Sequence, residues 1–208
     1  MSTPANVGTV YIVSAPSGGG KTTLMETLLS STPRLKRVVT HTTRPAREGE
    51  VDGVDYHFVT IEQFKALVAE DGFLEYAEVF GNYYGTSKKE VDEKRQDGSD
   101  IVLVIDWQGA EQVKSKMPDA VGIFIIPPSI DALRTRLIHR NLDSEEIVNQ
   151  RMADAVNQIQ HYPKFDYLVV NDDFDIALMH LRTIFMSNRL RTEYQIWDQA
   201  ELLKRLQL

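Results

Sequence analysis

The chain contains no cysteine, which excludes disulfides, thiolate metal sites and cysteine nucleophiles and fits a reducing compartment. It has no long hydrophobic run either. The apolar stretch at residues 10–13 is far too short for a membrane span or for the core of a signal peptide, and no basic residue precedes it. We therefore expect a cytoplasmic protein with no membrane partner.

Basic residues are also fewer than acidic residues. The 23 Lys and Arg residues are outnumbered by 30 Asp and Glu residues, and the formal net charge is -7. Nonspecific binding to nucleic acid needs a basic surface, so this balance argues against a nucleic-acid partner. An anionic ligand must therefore be held by a local cluster of basic side chains.

Proline and glycine are few, with 8 and 12 among 208 residues, and 42% of the residues are hydrophobic. This composition is typical of an ordinary globular protein rather than of a disordered or collagen-like chain. The length allows a well-buried core, and we interpret the chain as one folded unit.

Apolar runs rich in β-branched residues alternate with segments of helical period. This alternation predicts an α/β fold with a doubly wound parallel sheet and helices on both faces. The predicted strands are residues 9–14, 38–42, 101–106, 121–128 and 167–172. The predicted helices between them are residues 21–30, 109–117, 129–139 and 144–160.

Two segments depart from this rhythm. Residues 43–86 are rich in Gly and Tyr, with two strand-like runs around a helix at residues 61–70, and predict an inserted subdomain. From Asp173 the pattern predicts one long helix almost to Leu208, whose amphipathic face packs on the core, although a homo-oligomer interface remains possible. The apolar positions of that face are Ile176, Leu178, Leu181, Ile184, Phe185, Leu190, Ile196, Trp197, Leu202, Leu203 and Leu206.

A glycine-rich loop follows the first predicted strand. It fits the pattern G-x-x-x-x-G-K-[ST] except at its first position, and it reads Ala15-Pro16-Ser17-Gly18-Gly19-Gly20-Lys21-Thr22. Small residues let consecutive backbone N–H groups turn inward onto phosphate oxygens at the N-terminus of a helix. The lysine neutralises the β and γ phosphates and the threonine offers a hydroxyl to Mg²⁺. The loop predicts a nucleoside triphosphate site.

A second basic cluster indicates a site for a monophosphate. Arg44 and Arg47 are three residues apart and could present two planar forks to one dianion, with the phenol hydroxyls of Tyr56 and Tyr84 completing the shell. A solvated polar surface explains these four residues equally well when they are taken alone.

Six motifs together resemble the guanylate kinases of the bacterial type. In order they are APSGGGKT, TTRPAREGEVDGVDY, FLEYAEVFGNYYGTS, IDWQGA, IFIIPPS and VVNDD, and the resemblance runs from about residue 9 to 175. It implies a P-loop nucleoside monophosphate kinase that transfers a phosphoryl group from ATP to GMP, with dGMP as an additional acceptor and Mg²⁺ as the metal, in purine nucleotide metabolism. It also implies a core at about 8–42, 87–133 and 152–208, a GMP-binding subdomain at about 43–86 and a lid at about 134–151.

The resemblance also implies the roles of individual residues. The GMP phosphate ligands are Arg44, Arg47, Tyr56 and Tyr84. The residues around the guanine base are Thr40, Glu75 and Thr86. Guanine offers N1–H and the 2-amino group as adjacent donors that one carboxylate can accept together, and adenine lacks this pair, so Glu75 is expected to select the base.

The remaining implied roles concern the metal, the adenine and the lid. Asp106 is placed near the metal with Thr22. Asn171 is placed near the adenine of ATP, although it could merely cap the next helix. The implied lid arginines are Arg136, Arg140 and Arg151, whereas Arg134 is expected at the surface, and pairing of these arginines with nearby acidic residues is the alternative.

The chain departs from the family at two places. Val104 stands where the family usually has an aspartate that helps to anchor guanine, and we expect weaker GMP binding as a result. The glycines of the family's R-G-R-G-like lid stretch are absent from His139-Arg140-Asn141.

Two other functions are weighed against a GMP kinase. A non-catalytic guanylate-kinase-like binding module would be expected to lose the P-loop lysine and the lid arginines, which are present here. A kinase with a different acceptor is favoured only by Val104, and the retained Glu75, Thr40 and Thr86 argue against it.

Overall fold

The computed structural model describes residues 8–79, 81–140 and 145–206, with only the backbone at residues 139 and 140. The strands are β1 Val10–Ser14, β2 Leu35–Arg37, β3 His41–Thr42, β4 His57–Phe58, β5 Phe73–Val79, β6 Asn82–Ser87, β7 Asp100–Val104, β8 Val121–Ile126 and β9 Tyr167–Val170. The helices are α1 Lys21–Ser31, α2 Ile61–Ala69, α3 Lys88–Arg95, α4 Trp107–Lys116, α5 Ile130–Arg140, α6 Glu145–Ile159, α7 Phe174–Arg189, α8 Thr192–Asp198 and α9 Ala200–Arg205. A 3-10 turn at Tyr162–Lys164 precedes β9.

A parallel five-stranded sheet in the order β2-β7-β1-β8-β9 forms the centre of the molecule. Every residue of β1 is buried because the sheet is covered on both faces. Tyr11 and Val13 pack with side chains of α1 and α7, whereas Val10 and Ile12 pack with side chains of α3 and α4. The predicted doubly wound α/β fold is confirmed. The carboxyl ends of these strands lie at one edge, where such folds bind ligands.

A second sheet, in the order β4-β3-β6-β5, is formed by residues 41–87 together with α2. The predicted strand at residues 38–42 is therefore wrong as a part of the central sheet. The strand that joins the central sheet is β2, which ends at Arg37, and β3 pairs with β4 and β6 instead. Between them the backbone N–H of Val39 donates to Glu90 Oε1 at 3.0 Å rather than to a strand.

Helix α3 was not predicted. Only Val91 of its eight residues is buried, so its sequence KKEVDEKR has no apolar period. Its start does carry a signal, since the hydroxyl of Ser87 accepts a hydrogen bond from the backbone N–H of Glu90, and Ser followed three residues later by Glu is typical of a helix N-terminus.

The predicted single helix from Asp173 to Leu208 is wrong. The chain forms α7, α8 and α9, with an extended backbone at Arg191 (φ -61°, ψ 141°) between the first two. The break returns the chain to the sheet, where the hydroxyls of Tyr194 and Thr9 form a hydrogen bond and Asp198 pairs with Arg34 at 2.8 Å. The proposed apolar face is consequently divided. Its exposed members are Ile176, Leu190, Ile196, Leu202 and Leu206.

None of the helices in the described ranges is long and apolar enough to cross a membrane.

Candidate active site

The glycine-rich loop connects β1 to α1 at the carboxyl edge of the sheet. Gly18 and Gly20 have φ values of 80° and 82°, a region that favours glycine. A Cβ on Gly20 would lie 2.3 Å from Asn171 Nδ2, so space as well as conformation requires glycine there. Ala15, in place of the usual first glycine, is buried at the end of β1 and is accommodated in the core.

Asn171 follows β9 and supports this loop. Its buried side chain donates from Nδ2 to the backbone oxygen of Gly19 at 2.9 Å, and its own backbone oxygen accepts from Arg136 Nη2 at 2.9 Å. The alternative that Asn171 only caps the following helix is wrong, because Asp173 Oδ1 accepts the hydrogen bond from Ile176 N that caps α7.

Lys21 and Thr22 begin α1 and so lie where the helix dipole favours anions. Burial lowers the pKa of Lys21, the negative charge of Asp106 raises it in part, and the positive charge of Arg37 lowers it further. The lysine is therefore positioned among other charges of the site, and Thr22 is exposed.

Helices α5 and α6 also pack against the glycine-rich loop. A Cβ on Gly18 would lie 3.0 to 3.1 Å from carbons of Leu133 and Leu137 in α5. From α6, Gln158 Oε1 accepts a hydrogen bond from the backbone N–H of Ser17 at 3.1 Å. A backbone donor of the phosphate loop is thus occupied by a side chain of the protein itself.

The arginines assigned to the lid occupy different environments. Arg136 Nη1 is buried and has no hydrogen-bond partner among the described residues, although its Nη2 is bonded. Arg151 is partly buried in α6, and the side chain of Arg140 lies outside the described residues. Arg134 is at the surface as expected, where it hydrogen-bonds Asn149 at 3.2 Å and approaches Glu145 at 3.8 Å.

An open pocket lies between the central sheet and the second sheet. It brings together five residues that the sequence analysis singled out, namely Thr40, Tyr56, Glu75, Tyr84 and Asp106, and Val104 lines it as well. Its other lining residues are Arg37, Ala77, Val79 and Ile105. Two of the three residues assigned to guanine, Thr40 and Glu75, and both tyrosines assigned to its phosphate therefore line one cavity, whereas Thr86 and the two arginines are not among its lining residues.

Glu75 is the buried acid of this pocket, with 5% of its surface exposed. It lies opposite Thr86 in the β5–β6 pair, and its Oε1 accepts a hydrogen bond from Thr86 Oγ1 at 2.5 Å. Burial raises the pKa of Glu75 to about 7, and the negative charge of Asp106 contributes to the rise. Such a carboxylate is stabilised in its charged form by a ligand that donates hydrogen bonds to it.

Asp106 ends the turn after β7 and caps α4, because its Oδ1 accepts a hydrogen bond from the backbone N–H of Gly109 at 2.8 Å. Helix α4 therefore begins at Trp107, two residues earlier than predicted. Asp106 lines the pocket with Glu75, and its negative charge raises the pKa of both Glu75 and Lys21.

The guanidinium of Arg44 is already paired with acceptors of the protein. Its Nη2 contacts Glu50 Oε1 and Oε2 at 2.7 and 2.9 Å, and its Nη1 donates to the backbone oxygen of Pro45 at 2.8 Å. The guanidinium also lies 5.3 Å from the ring of Tyr56, whose ring centroid is 6.1 Å from that of Tyr84. The side chain of Arg47 is exposed, and its backbone N–H donates to Glu50 Oε2 at 2.7 Å.

Three residues of the site were missed by the sequence analysis: Arg37, Glu50 and Gln158. Glu50 follows Arg47 by three residues, so its charge and spacing were a signal of local pairing. Arg37 was missed because the strand it ends was predicted to begin after it, and no sequence signal distinguishes Gln158.

Within the described ranges, no three His, Asp or Glu side chains converge on a point that could hold a metal ion. Thr22, which follows Lys21, and Asp106 offer hard oxygen atoms, and Asp106 Oδ2 has no hydrogen bond to the described residues. Mg²⁺ is commonly bound by one or two such ligands together with substrate phosphates, so these residues fit it.

Known proteins resemble this chain over almost its whole length. The guanylate kinase family model matches residues 7–188. The guanylate kinase of Legionella pneumophila (strain Paris) is 51% identical over 198 residues, 95% of either chain, and that of Alkalilimnicola ehrlichii is 52% identical over 199 residues, 96% of this chain and 98% of the relative. The crystal structure of guanylate kinase from Anaplasma phagocytophilum, at 34% identity, has a TM-score of 0.73 and covers 95% of this chain and 94% of that one. The chain therefore belongs to the guanylate kinase family.

Proposed function

We propose that the chain binds ATP at the glycine-rich loop before α1 and GMP in the pocket between the two sheets, and that individual residues of these two sites have distinct roles in the reaction. The chain is an ATP:GMP phosphotransferase, as its membership in the family supports. The observation that carries the assignment of the acceptor is the buried carboxylate of Glu75 in a pocket that also contains Asp106, close to Lys21.

Glu75 selects guanine. With Thr86 bonded to Oε1, Glu75 accepts the N1–H and 2-amino donors of the base, and both interactions favour its ionised form. AMP has no such donor pair, and it would leave a buried carboxylate without partners, which binding sites reject by roughly 10⁴-fold or more. Thr40 and Thr86 contribute hydroxyls around the same base.

The phosphate of GMP binds at Arg44, Arg47, Tyr56 and Tyr84. Arg44 is already held beside the two tyrosines, and Glu50 occupies its fork. An incoming phosphate exchanges with Glu50 or shares the guanidinium with it, while Arg47 turns inward from the surface. Glu50 thus acts as a stand-in that keeps Arg44 ordered in the absence of phosphate.

Thr22 and Asp106 would hold Mg²⁺ when ATP is bound, and the ion would supply positive charge that offsets the negative charge of the phosphates. The protein's own contribution at this edge is Lys21 and the backbone N–H groups of the loop, which position the phosphates without providing a nucleophile or a base, since the acceptor phosphate is already ionised.

The chain divides into a core at about 8–42, 87–133 and 152–208, a GMP-binding subdomain at about 43–86 and a lid at about 134–151. The lid includes the end of α5 and the start of α6. Arg136, Arg140 and Arg151 supply its charge. The buried and unpartnered Nη1 of Arg136 is available to a phosphate oxygen. When ATP binds, Ser17 N–H exchanges Gln158 for phosphate, and closure excludes water, which limits hydrolysis of ATP.

Acceptor specificity is the measurement that tests this proposal. ADP formation is followed in a coupled assay with GMP, dGMP, AMP, UMP or CMP as acceptor and Mg²⁺ present. We expect GMP to be the preferred acceptor and dGMP to be used as well. Absence of ADP formation with every one of these acceptors would favour a non-catalytic binding module, and preference for another nucleotide would refute the role of Glu75. A cytoplasmic location, a role in purine nucleotide metabolism and a homo-oligomeric state remain predictions.

A further inference from the structure

Arg37 is a basic residue of the acceptor pocket with no role so far. It is the last residue of β2, at the carboxyl edge of the central sheet, and it lines the pocket together with Val104 and Asp106. Its backbone is fixed on both sides, by pairing with Val102 of β7 and by a hydrogen bond from Lys94 Nζ to its oxygen at 2.9 Å. The side chain is exposed to the pocket rather than packed in the core.

The guanidinium of Arg37 makes no hydrogen bond and no ion pair with any residue in the described ranges. The neighbouring lysines are paired: Lys36 contacts Asp97 at 2.6 Å and Lys94 contacts Glu90 at 2.7 Å. On the pocket wall beside Arg37, Val104 provides no carboxylate that could neutralise it. Arg37 is therefore a cation on a fixed backbone, and its charge remains available to a ligand.

Arg37 and the phosphate loop lie at the same edge of the central sheet, because β7 alone separates β2 from β1 and all three strands are parallel. The acids that line the pocket with Arg37 are Asp106, one oxygen of which accepts a hydrogen bond from the N-terminus of α4, and Glu75, which is bonded to Thr86. Arg37 and Lys21 bring two positive charges to this edge, and such a pair favours the binding of an anion between them. This place lies where the donor site meets the acceptor pocket.

We propose that Arg37 is a further catalytic residue, which binds oxygens of the phosphoryl group as it passes from ATP to GMP. The inference rests on the proposed reaction. In that step an oxygen of the GMP phosphate forms a bond to the γ phosphorus, the bond from that phosphorus to the β–γ bridging oxygen breaks, and ADP leaves with the electron pair. The transferred group carries negative charge on three oxygens, and the planar fork of an arginine can donate two hydrogen bonds to them.

The first test compares Arg37→Ala and Arg37→Lys with the wild type in single-turnover experiments. Loss of charge-assisted hydrogen bonds is expected to slow phosphoryl transfer by about 10- to 100-fold in Arg37→Ala, with the KM for GMP changed by less than about threefold. Arg37→Lys is expected to recover part of the rate, because it keeps the charge without the fork. Lys36→Ala is the matched control, since it removes a charge from the adjacent position, and it should react like the wild type.

The second test measures binding without catalysis. An adenosine–guanosine pentaphosphate spans both sites and has phosphates at their junction, whereas GMP does not reach it. In Arg37→Ala, calorimetry should show at least about tenfold weaker binding of this compound and unchanged binding of GMP.

Two results would overturn the inference. An Arg37→Ala enzyme that raises the KM for GMP but transfers at the normal rate would place the guanidinium on the base or the ribose, and an unaffected variant would leave it as a surface residue. A wild-type chain that does not phosphorylate GMP would instead refute the proposed function itself, so the two failures are distinguishable in one set of assays.

Discussion

Thr86 Oγ1 donates a hydrogen bond to Glu75 Oε1 across the β5–β6 pair, and both side chains are almost completely buried. The hydroxyl satisfies one oxygen of the carboxylate and leaves Oε2 directed to the N-terminal turn of α4, where a Cβ on Gly109 would lie 3.0 Å away. Glu75, the acid that we propose selects the base, is thus held by Thr86 and lines the pocket in which a ligand would meet it.

Replacement of this acid should impair use of GMP. We expect Glu75→Gln to lower kcat/KM for GMP by roughly 100-fold or more, because an amide presents one acceptor and one donor to two guanine donors. The variant should fold, since it removes a buried charge without changing the volume. Glu78→Gln, on the exposed part of the same strand, is the control, and an equal loss in both variants would contradict the assignment.

The raised pKa of Glu75 predicts a pH dependence of GMP binding. Because the free enzyme titrates at a pKa of about 7 and guanine needs the ionised form, the Kd for GMP should fall about tenfold between pH 6 and pH 8. Titration of the GMP phosphate also contributes over this range, so the informative quantity is the part of the dependence that Glu75→Gln abolishes. A dependence that is identical in the variant would show that Glu75 does not titrate there.

The same group predicts the direction of a stability change. The folded protein keeps a proton on Glu75 that the unfolded chain releases near its ordinary pKa of 4.5. Its contribution to stability is therefore present below about pH 4.5 and is lost as the pH rises to about 7. Urea unfolding at several pH values should show a smaller decline over this window in Glu75→Gln than in the wild type.

Val104 should limit the affinity for GMP. Guanylate kinases usually have an aspartate at this position, and Val104 lines the pocket. We expect Val104→Asp to lower the KM for GMP several-fold. An unchanged KM for GMP in steady-state kinetics would contradict this prediction. Val104→Asn adds polarity without charge, so it separates the effect of the carboxylate from that of side-chain size.

Gly20 should not tolerate a side chain. Gly20→Ala combines an unfavourable φ of 82° with a Cβ placed 2.3 Å from Asn171 Nδ2, and we expect a loss of at least about 2 kcal/mol in the free energy of unfolding together with weaker ATP binding. Gly49→Ala is the matched control, because Gly49 has a φ of 86° and nothing within 4 Å of the added carbon. It should lose only about 1 kcal/mol.

Local patterns were sufficient for four of the five strands of the central sheet and for the phosphate loop. These four buried strands are continuous apolar runs, and the loop needs its residue types in a fixed order, so neither depends on distant parts of the chain. Tyr56 and Tyr84 were singled out beside two arginines, Glu75 and Thr40 were identified through resemblance to a family, and the structure brings all four to one pocket.

Tertiary contacts explain what the patterns missed. The break at Arg191 has no glycine or proline near it, and it follows from the contacts of α8 with Thr9 and Arg34. Strand β3 consists of two residues and gains its partners from β4 and β6, so its own sequence cannot show which sheet it joins. The pairing of Arg44 with Glu50 is a contact between two side chains six residues apart, and motif matching identifies residue types rather than such contacts.

Asn171 connects the glycine-rich loop to the side chain of Arg136. One residue holds the Gly19 carbonyl with its amide and the Arg136 guanidinium with its main-chain oxygen. The shape of the loop and the position of Arg136, which we assign to the lid, are therefore mechanically linked through a single residue. A nucleotide that reshapes the loop would shift the arginine at the same moment, so recognition of the donor and assembly of the charge that activates it would be one event.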